Sequence, residues 1–150
     1  MLTCTLTLGL TLHAEQELPR LPIRPAPTAA VIDSQDTDAF RAALNDFADW
    51  ESQATFPQVD AFLQNHPASP WKAALLANLG RVRYQQGCYS LALVHWQQAW
   101  NLSKSLEDSA ARRMATRTGL ELAGLYARLG RAIELEGILV EMEQIGRAHV

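Results

Sequence analysis

NLGRVRYQQGCYSLALVHWQQAW, residues 78–100, holds two glycines, two tyrosines, two tryptophans, a histidine and one of the two cysteines of a 150-residue chain. Its spacing decides the fold. Upstream and into it, Trp71, Leu75, Leu79 and Val82 line one side of a helix. That helix stops at Gly87, the residue type that most readily takes the left-handed conformation past a helix end. From Tyr89 onward, Tyr89, Ala92, Leu93, Trp96, Ala99 and Trp100 fall at offsets 0, 3, 4, 7, 10 and 11, a helical stripe without a gap. Gly80, Ala92 and Ala99 permit close backbone approach, and Leu76, Leu79 and Trp96 fill the volume beside them. Two antiparallel helices joined by a tight glycine turn follow.

The same logic extends toward the N-terminus. Ser69 is a natural N-cap, and Pro70 a natural first helical residue because that position needs no N–H. A short helix is expected from Pro57 to Asn65 with Val59, Phe62 and Leu63 inward, and another over 38–50 with Phe40, Leu44, Phe47 and Ala48 on one stripe. Residues 37–66 thus form a helical pair. Before it, residues 15–36 contain Pro19, Pro22, Pro25 and Pro27 and are expected to be an extended linker outside the core.

Gly80, Gly87, Tyr89, Ala92, Trp96 and Ala99 stand at the relative places of the signature residues of a tetratricopeptide repeat, which this stretch resembles. Arg83 takes the place of the expected tyrosine, with Tyr84 one position later. A second copy sets Ala123 against Gly80, Tyr126 against that tyrosine and Gly130 against Gly87, with Leu135, Leu139 and Met142 against Ala92, Trp96 and Ala99. The copies lie 43 residues apart, longer than the usual roughly 34. The extra length falls in SLEDSAARRMATRTG, where Ser105 with Asp108 suggests a helix start. The resemblance implies two TPR-like hairpins over 69–144, with 37–66 as a degenerate repeat. The expected fold is an all-α solenoid of antiparallel helix hairpins behind a proline-rich linker.

In that family the first helix of each pair lines a concave groove that takes an extended peptide or a partner helix. The face so implied presents Asn78, Arg81, Tyr84, Gln85, Arg117, Glu121 and Arg128. Arg81, Arg117 and Arg128 would favour an acidic peptide or a terminal carboxylate. The family's carboxylate clamp is absent, Ala77 and Arg81 occupying its first-repeat places. The expected function is non-catalytic: protein–protein interaction or scaffolding. A second resemblance, of FLQNHPASPWKAALLANLG (62–80) with HWQQAW (95–100), is to the helical region ahead of papain-like cysteine peptidase and YD-repeat modules in large bacterial exported proteins. It implies instead a spacer or docking region of a larger enzyme or toxin-like protein, and no catalytic residue of such a parent is present.

Both chain ends carry further expectations. An apolar stretch, Leu2 to Leu12, ends in His13-Ala14 before Glu15 and Glu17, the pattern of a secretory signal over residues 1–14. No Lys or Arg precedes it, a lack that a start codon assigned too late would explain. The same leucines and Cys4 also alternate with threonines and Gly9 at period two, as in a strand. Export to the periplasm or beyond follows from the first reading and a cytoplasmic place from its failure. At the other end, residues 145–150, IGRAHV, can be encoded ATC GGA AGA GCA CAC GTC. This resembles read-through into a short-read sequencing adapter, so downstream domains of a parent chain are expected partners. Gly146 as a helix-ending residue is the structural alternative. Ile133, Leu135, Ile138, Leu139, Val140 and Ile145 spread apolar surface round the last helix.

The bulk chemistry points the same way. A net charge of −3 and a pI near 5.8 give no electrostatic reason to expect nucleic acid. The Leu2–Leu12 run is too short to span a bilayer. Cys4, Cys88 and the scattered histidines have no metal-ligand spacing, and no cofactor motif appears. Cys88 and His95 lie two helical turns apart, roughly 10 Å, too far to act as a nucleophile pair.

Overall fold

The computed structural model describes residues 21, 23–29 and 33–147. The expected signal segment, residues 15–20, 22 and 30–32 of the expected linker, and the last three residues lie outside the described residues. The described chain is all-α, without a strand. It comprises α1 (Ser34–Leu44), a 3-10 turn (Asn45–Phe47), α2 (Pro57–Asn65), α3 (Lys72–Gln85), α4 (Tyr89–Ser103), α5 (Ser109–Arg128) and α6 (Ala132–Arg147). No described helix is long and apolar enough to cross a membrane.

Each helix start has a local cause. Asp33 caps α1, its carboxylate accepting from the Gln35 N–H at 3.1 Å. Helix α2 has no capping side chain of its own at Phe56. Asp46, buried in the preceding turn, supplies the cap by accepting from Gln58 N–H at 2.7 Å and Val59 N–H at 3.1 Å. That inward turn is why the expected 38–50 helix ends at Leu44, and it leaves Ala48 exposed rather than on the buried stripe. The Ser69 hydroxyl accepts from Trp71 N–H, and α3 begins at Lys72, two residues later than Pro70. Asp108, not Ser105, caps α5, accepting from the Ala110 and Ala111 N–H groups at 2.9 and 3.0 Å.

Two matching turns close the hairpins. Gly87 (φ 78°) and Gly130 (φ 68°) are the described positive-φ residues. After each, an N–H reaches back five residues: Cys88 to the Arg83 carbonyl at 2.8 Å, Arg131 to the Tyr126 carbonyl at 2.9 Å.

The α3–α4 packing bears out the reading of residues 78–100. Trp96 is fully buried against Gly80, where an added Cβ would stand 2.5 Å from the indole Cδ1. Its Nε1 donates to the Ala77 carbonyl at 3.0 Å, so burying the indole leaves no polar atom unpaired. Ala92 and Ala99 are buried as expected. Tyr89 is not: it is 48% exposed and only tilts against the Tyr84 ring, 5.3 Å between centroids.

The second hairpin keeps the turn but changes the register. Leu139, set against Trp96 by the 43-residue spacing, is 51% exposed, and Ile138 is buried in its place. Leu135, Met142 and Ile145 pack partly beside it. The close approach has moved from Ala123 to Gly119, whose Cβ would lie 2.8 Å from Trp100 and 3.1 Å from the Met142 sulfur. Trp100 fills that gap and donates to Glu141 at 2.7 Å, which holds α6 in its rotated position. Helix α6 continues through Gly146 to Arg147, so that glycine does not end it.

Two apolar clusters result. One joins α4, α5 and α6. The other joins α1, α2 and α3, with Phe40 stacked on Trp71 (4.6 Å, 9°) and edge-on to Phe62. Ile23 and Ala26 belong to this second cluster at 2% and 3% exposure. The proline-rich stretch was expected to stay outside the core; at these two residues it is part of it.

Candidate functional site

The face implied by the repeat resemblance divides into two halves. In the first, Asn78 is 1% exposed and holds the backbone of Ile23 from both sides. Its Oδ1 accepts from the Ile23 N–H at 3.0 Å, and its Nδ2 donates to the Ile23 carbonyl at 2.9 Å. Nδ2 also donates to the Ala74 carbonyl one turn back, which fixes the orientation of the amide. Farther along, Thr28 donates through both N–H and hydroxyl to the Pro70 carbonyl. Residues 23 to 28 therefore run antiparallel to α3, from Asn78 back to its start. The lengths agree: eight residues rise about 12 Å at 1.5 Å each in a helix, and five extended proline-rich residues span about 15 Å. The face holds a strap of its own chain.

In the second half, Glu121 collects two arginines. Arg81 reaches it at 3.0 Å across from α3, and Arg117 at 2.9 Å from one turn back on α5. Arg81 and Arg128 each place a guanidinium over the Tyr84 ring, at 5.9 and 5.4 Å from its centroid. Gln85 stands exposed at the end of this row. Five of the seven expected groove residues thus connect through contacts on this face, as Arg81–Glu121–Arg117 and Arg81–Tyr84–Arg128, while Asn78 engages Ile23 instead. The expected preference for an acidic ligand is reduced, because Glu121 already engages two of the three arginines, and among the described residues Arg128 alone of the three has no carboxylate partner.

Sequence reasoning missed Ile23, Ala26 and Thr28. A signal existed: Ile23 and Ala26 are three residues apart among prolines, and an extended proline-rich chain has three residues per turn, which puts both on one side. It also missed the purpose of Arg83 in the tyrosine's place. Arg83 donates to the Ala54 carbonyl and lies 4.7 Å from the Phe56 ring centroid, while Gln86 donates to the Trp50 and Gln53 carbonyls. Together they fasten the loop between α1 and α2 onto the end of α3.

Other reactive groups are placed quietly. Cys88 is half-buried, with its Sγ 4.0 Å from the Gln86 carbonyl. Burial first, and Arg83 second, hold His95 below the ordinary histidine range, against an opposing pull from Asp60. Hydrogen bonds from Trp100 and then Lys104 hold Glu141 below the usual carboxylate range. Comparison with family models, with curated proteins and with solved structures found no match to this chain.

Proposed function

We propose that this chain is a TPR-like protein-interaction module that takes an extended peptide along the face formed by α3 and α5. The observation that carries this reading is the Asn78 amide on both main-chain polar groups of Ile23. A side-chain amide used in this way recognises main chain, and so accepts an extended segment whatever its sequence. The open half beyond it supplies what a longer peptide would need: the Tyr84 ring, the exposed Gln85, and Arg128 as a cation with no carboxylate partner among the described residues. The repeat-like glycine turns and the Trp96–Gly80 packing support the module class. The partner is a protein or peptide, and the role is binding rather than catalysis.

The test is chemical-shift mapping of the full chain with a panel of octapeptides, acidic, neutral and proline-rich. Perturbations concentrated at Arg81, Tyr84, Arg117 and Arg128 are expected. Perturbations centred on α4 and α6, or none with any peptide, would refute the reading.

A further inference from the structure

The strap identifies the ligand chemistry. We propose that the Asn78 end of this face is a receptor for an extended proline-rich segment of a partner protein, bearing an aliphatic residue and, three places on, a small one. Residues 23–28, IRPAPT, are its resident occupant, which the partner segment replaces. This rests on the reading of the α3 face as a peptide-docking surface.

Three observations carry the ligand class. Ile23 and Ala26 are buried while Arg24 between them is exposed and Pro25 and Pro27 are half-covered. That is the one-sided burial a three-residue period produces, and the prolines hold the chain extended before it docks, so less conformational freedom is lost on binding. Asn78 reads the main chain of the residue whose side chain enters the core, which sets the register. Among the described residues, the Ile23 N–H and carbonyl and the Thr28 N–H and hydroxyl are bonded to α3 and to Pro70 before it and not to another strap residue, so the docked form depends on the surface it meets.

The strap can be replaced because the hold of its described residues comes from one main-chain clamp, one turn contact, two modest buried apolar side chains, Ile23 and Ala26, and a partly buried Leu21. The tethered strap has the advantage of a high effective concentration, which masks the site from a free peptide without adding any contact. Expelling the strap should therefore raise the affinity for the same sequence supplied in solution.

The experiment titrates fluorescein-labelled LPIRPAPT, followed by anisotropy, against three full-length chains: wild type, Ile23→Asp/Ala26→Asp, and that double variant with Asn78→Ala added. Helical circular dichroism and melting establish that each is folded. The double variant should bind at least tenfold more tightly than wild type, and the Asn78→Ala addition should remove most of that gain. A control peptide with aspartates at both apolar places should bind at least tenfold more weakly. Equal binding of the control, or no gain in the double variant, overturns the proposal. An acidic, proline-free octapeptide separates the two readings. If it binds the double variant and LPIRPAPT does not, the ligand class falls and peptide docking stands; if neither binds, both fall. Native-state hydrogen exchange of the Ile23 amide in the wild-type chain gives a readout that needs no variant. Exchange through local opening, well ahead of global unfolding, supports replacement, and exchange only through global unfolding overturns it.

Discussion

At the scale of single residues, the molecule turns on where a side chain can and cannot be added. Gly80 lies under the Trp96 indole with no room for a methyl group, whereas Gly124, also within a helix, has nothing within 4 Å of an added Cβ. Gly80→Ala should destabilise by about 1–3 kcal/mol as overpacking. Gly124→Ala should instead stabilise by roughly 0.5–1 kcal/mol, because the backbone freedom of glycine is no longer lost on folding. Urea denaturation of the two variants decides; equal shifts would show that the indole does not lie where the packing requires. His95 gives a pH dependence. Its folded value is depressed, so the unfolded chain protonates at higher pH than the folded one. Its contribution to stability is full above the ordinary histidine value of about 6.5 and is lost as pH falls from there through the lowered folded value. The urea midpoint should drop between pH 7.5 and 5.5, and His95→Gln should drop less.

At the scale of elements, caps and register do the deciding. Asp46 is remote from α2 in sequence yet satisfies two of its first N–H groups, one of them on fully buried Val59. Asp46→Ala leaves that donor without water or a partner and should cost about 1–3 kcal/mol. Thermal melting measures the loss, and hydrogen exchange at Gln58 and Val59 should rise before exchange in α3 does. Asp108 behaves as a cap in the same sense: the Ala111 and then Ala110 N–H groups hold its carboxyl below the usual range. Helix α6 shows the limit of repeat logic. Its turn obeys the first hairpin, but Trp100 and Met142 crowd Gly119, so the helix rotates and buries Ile138. Ile133 (83% exposed), Leu139 and Val140 face outward, as the spread of apolar residues round this helix suggested.

At the scale of the whole molecule, the strap ties the N-terminal segment to the repeat-like helices. Asn78→Ala leaves the buried Ile23 N–H unpaired and should destabilise by about 1–3 kcal/mol. Because Ile23 and Asn78 share that contact, Ile23→Ala and Asn78→Ala should not add. A double-mutant cycle in urea should give a coupling of about 0.5–3 kcal/mol. Additive behaviour would mean that the strap is not part of the cooperative unit.

What the sequence by itself determined is what local spacing determines. Helical class, both glycine turns, the α2 span from Pro57 to Asn65 and the Trp96–Gly80 contact all follow from residues within one hairpin, where chain geometry leaves few alternatives. Most of the candidate face was legible for the same reason, since one helix side follows from a 3.6-residue period. Only the tertiary structure decided the rest. Whether Arg81 is a free cation depends on Glu121, forty residues away, and whether Asn78 is an open groove residue depends on Ile23, fifty-five away. The register of α6 depends on the volume of Trp100 from a different helix. Prolines told that residues 23–28 are extended, because they fix φ locally. They could not tell that the extended chain lies in the core, because burial is a property of the surface it meets.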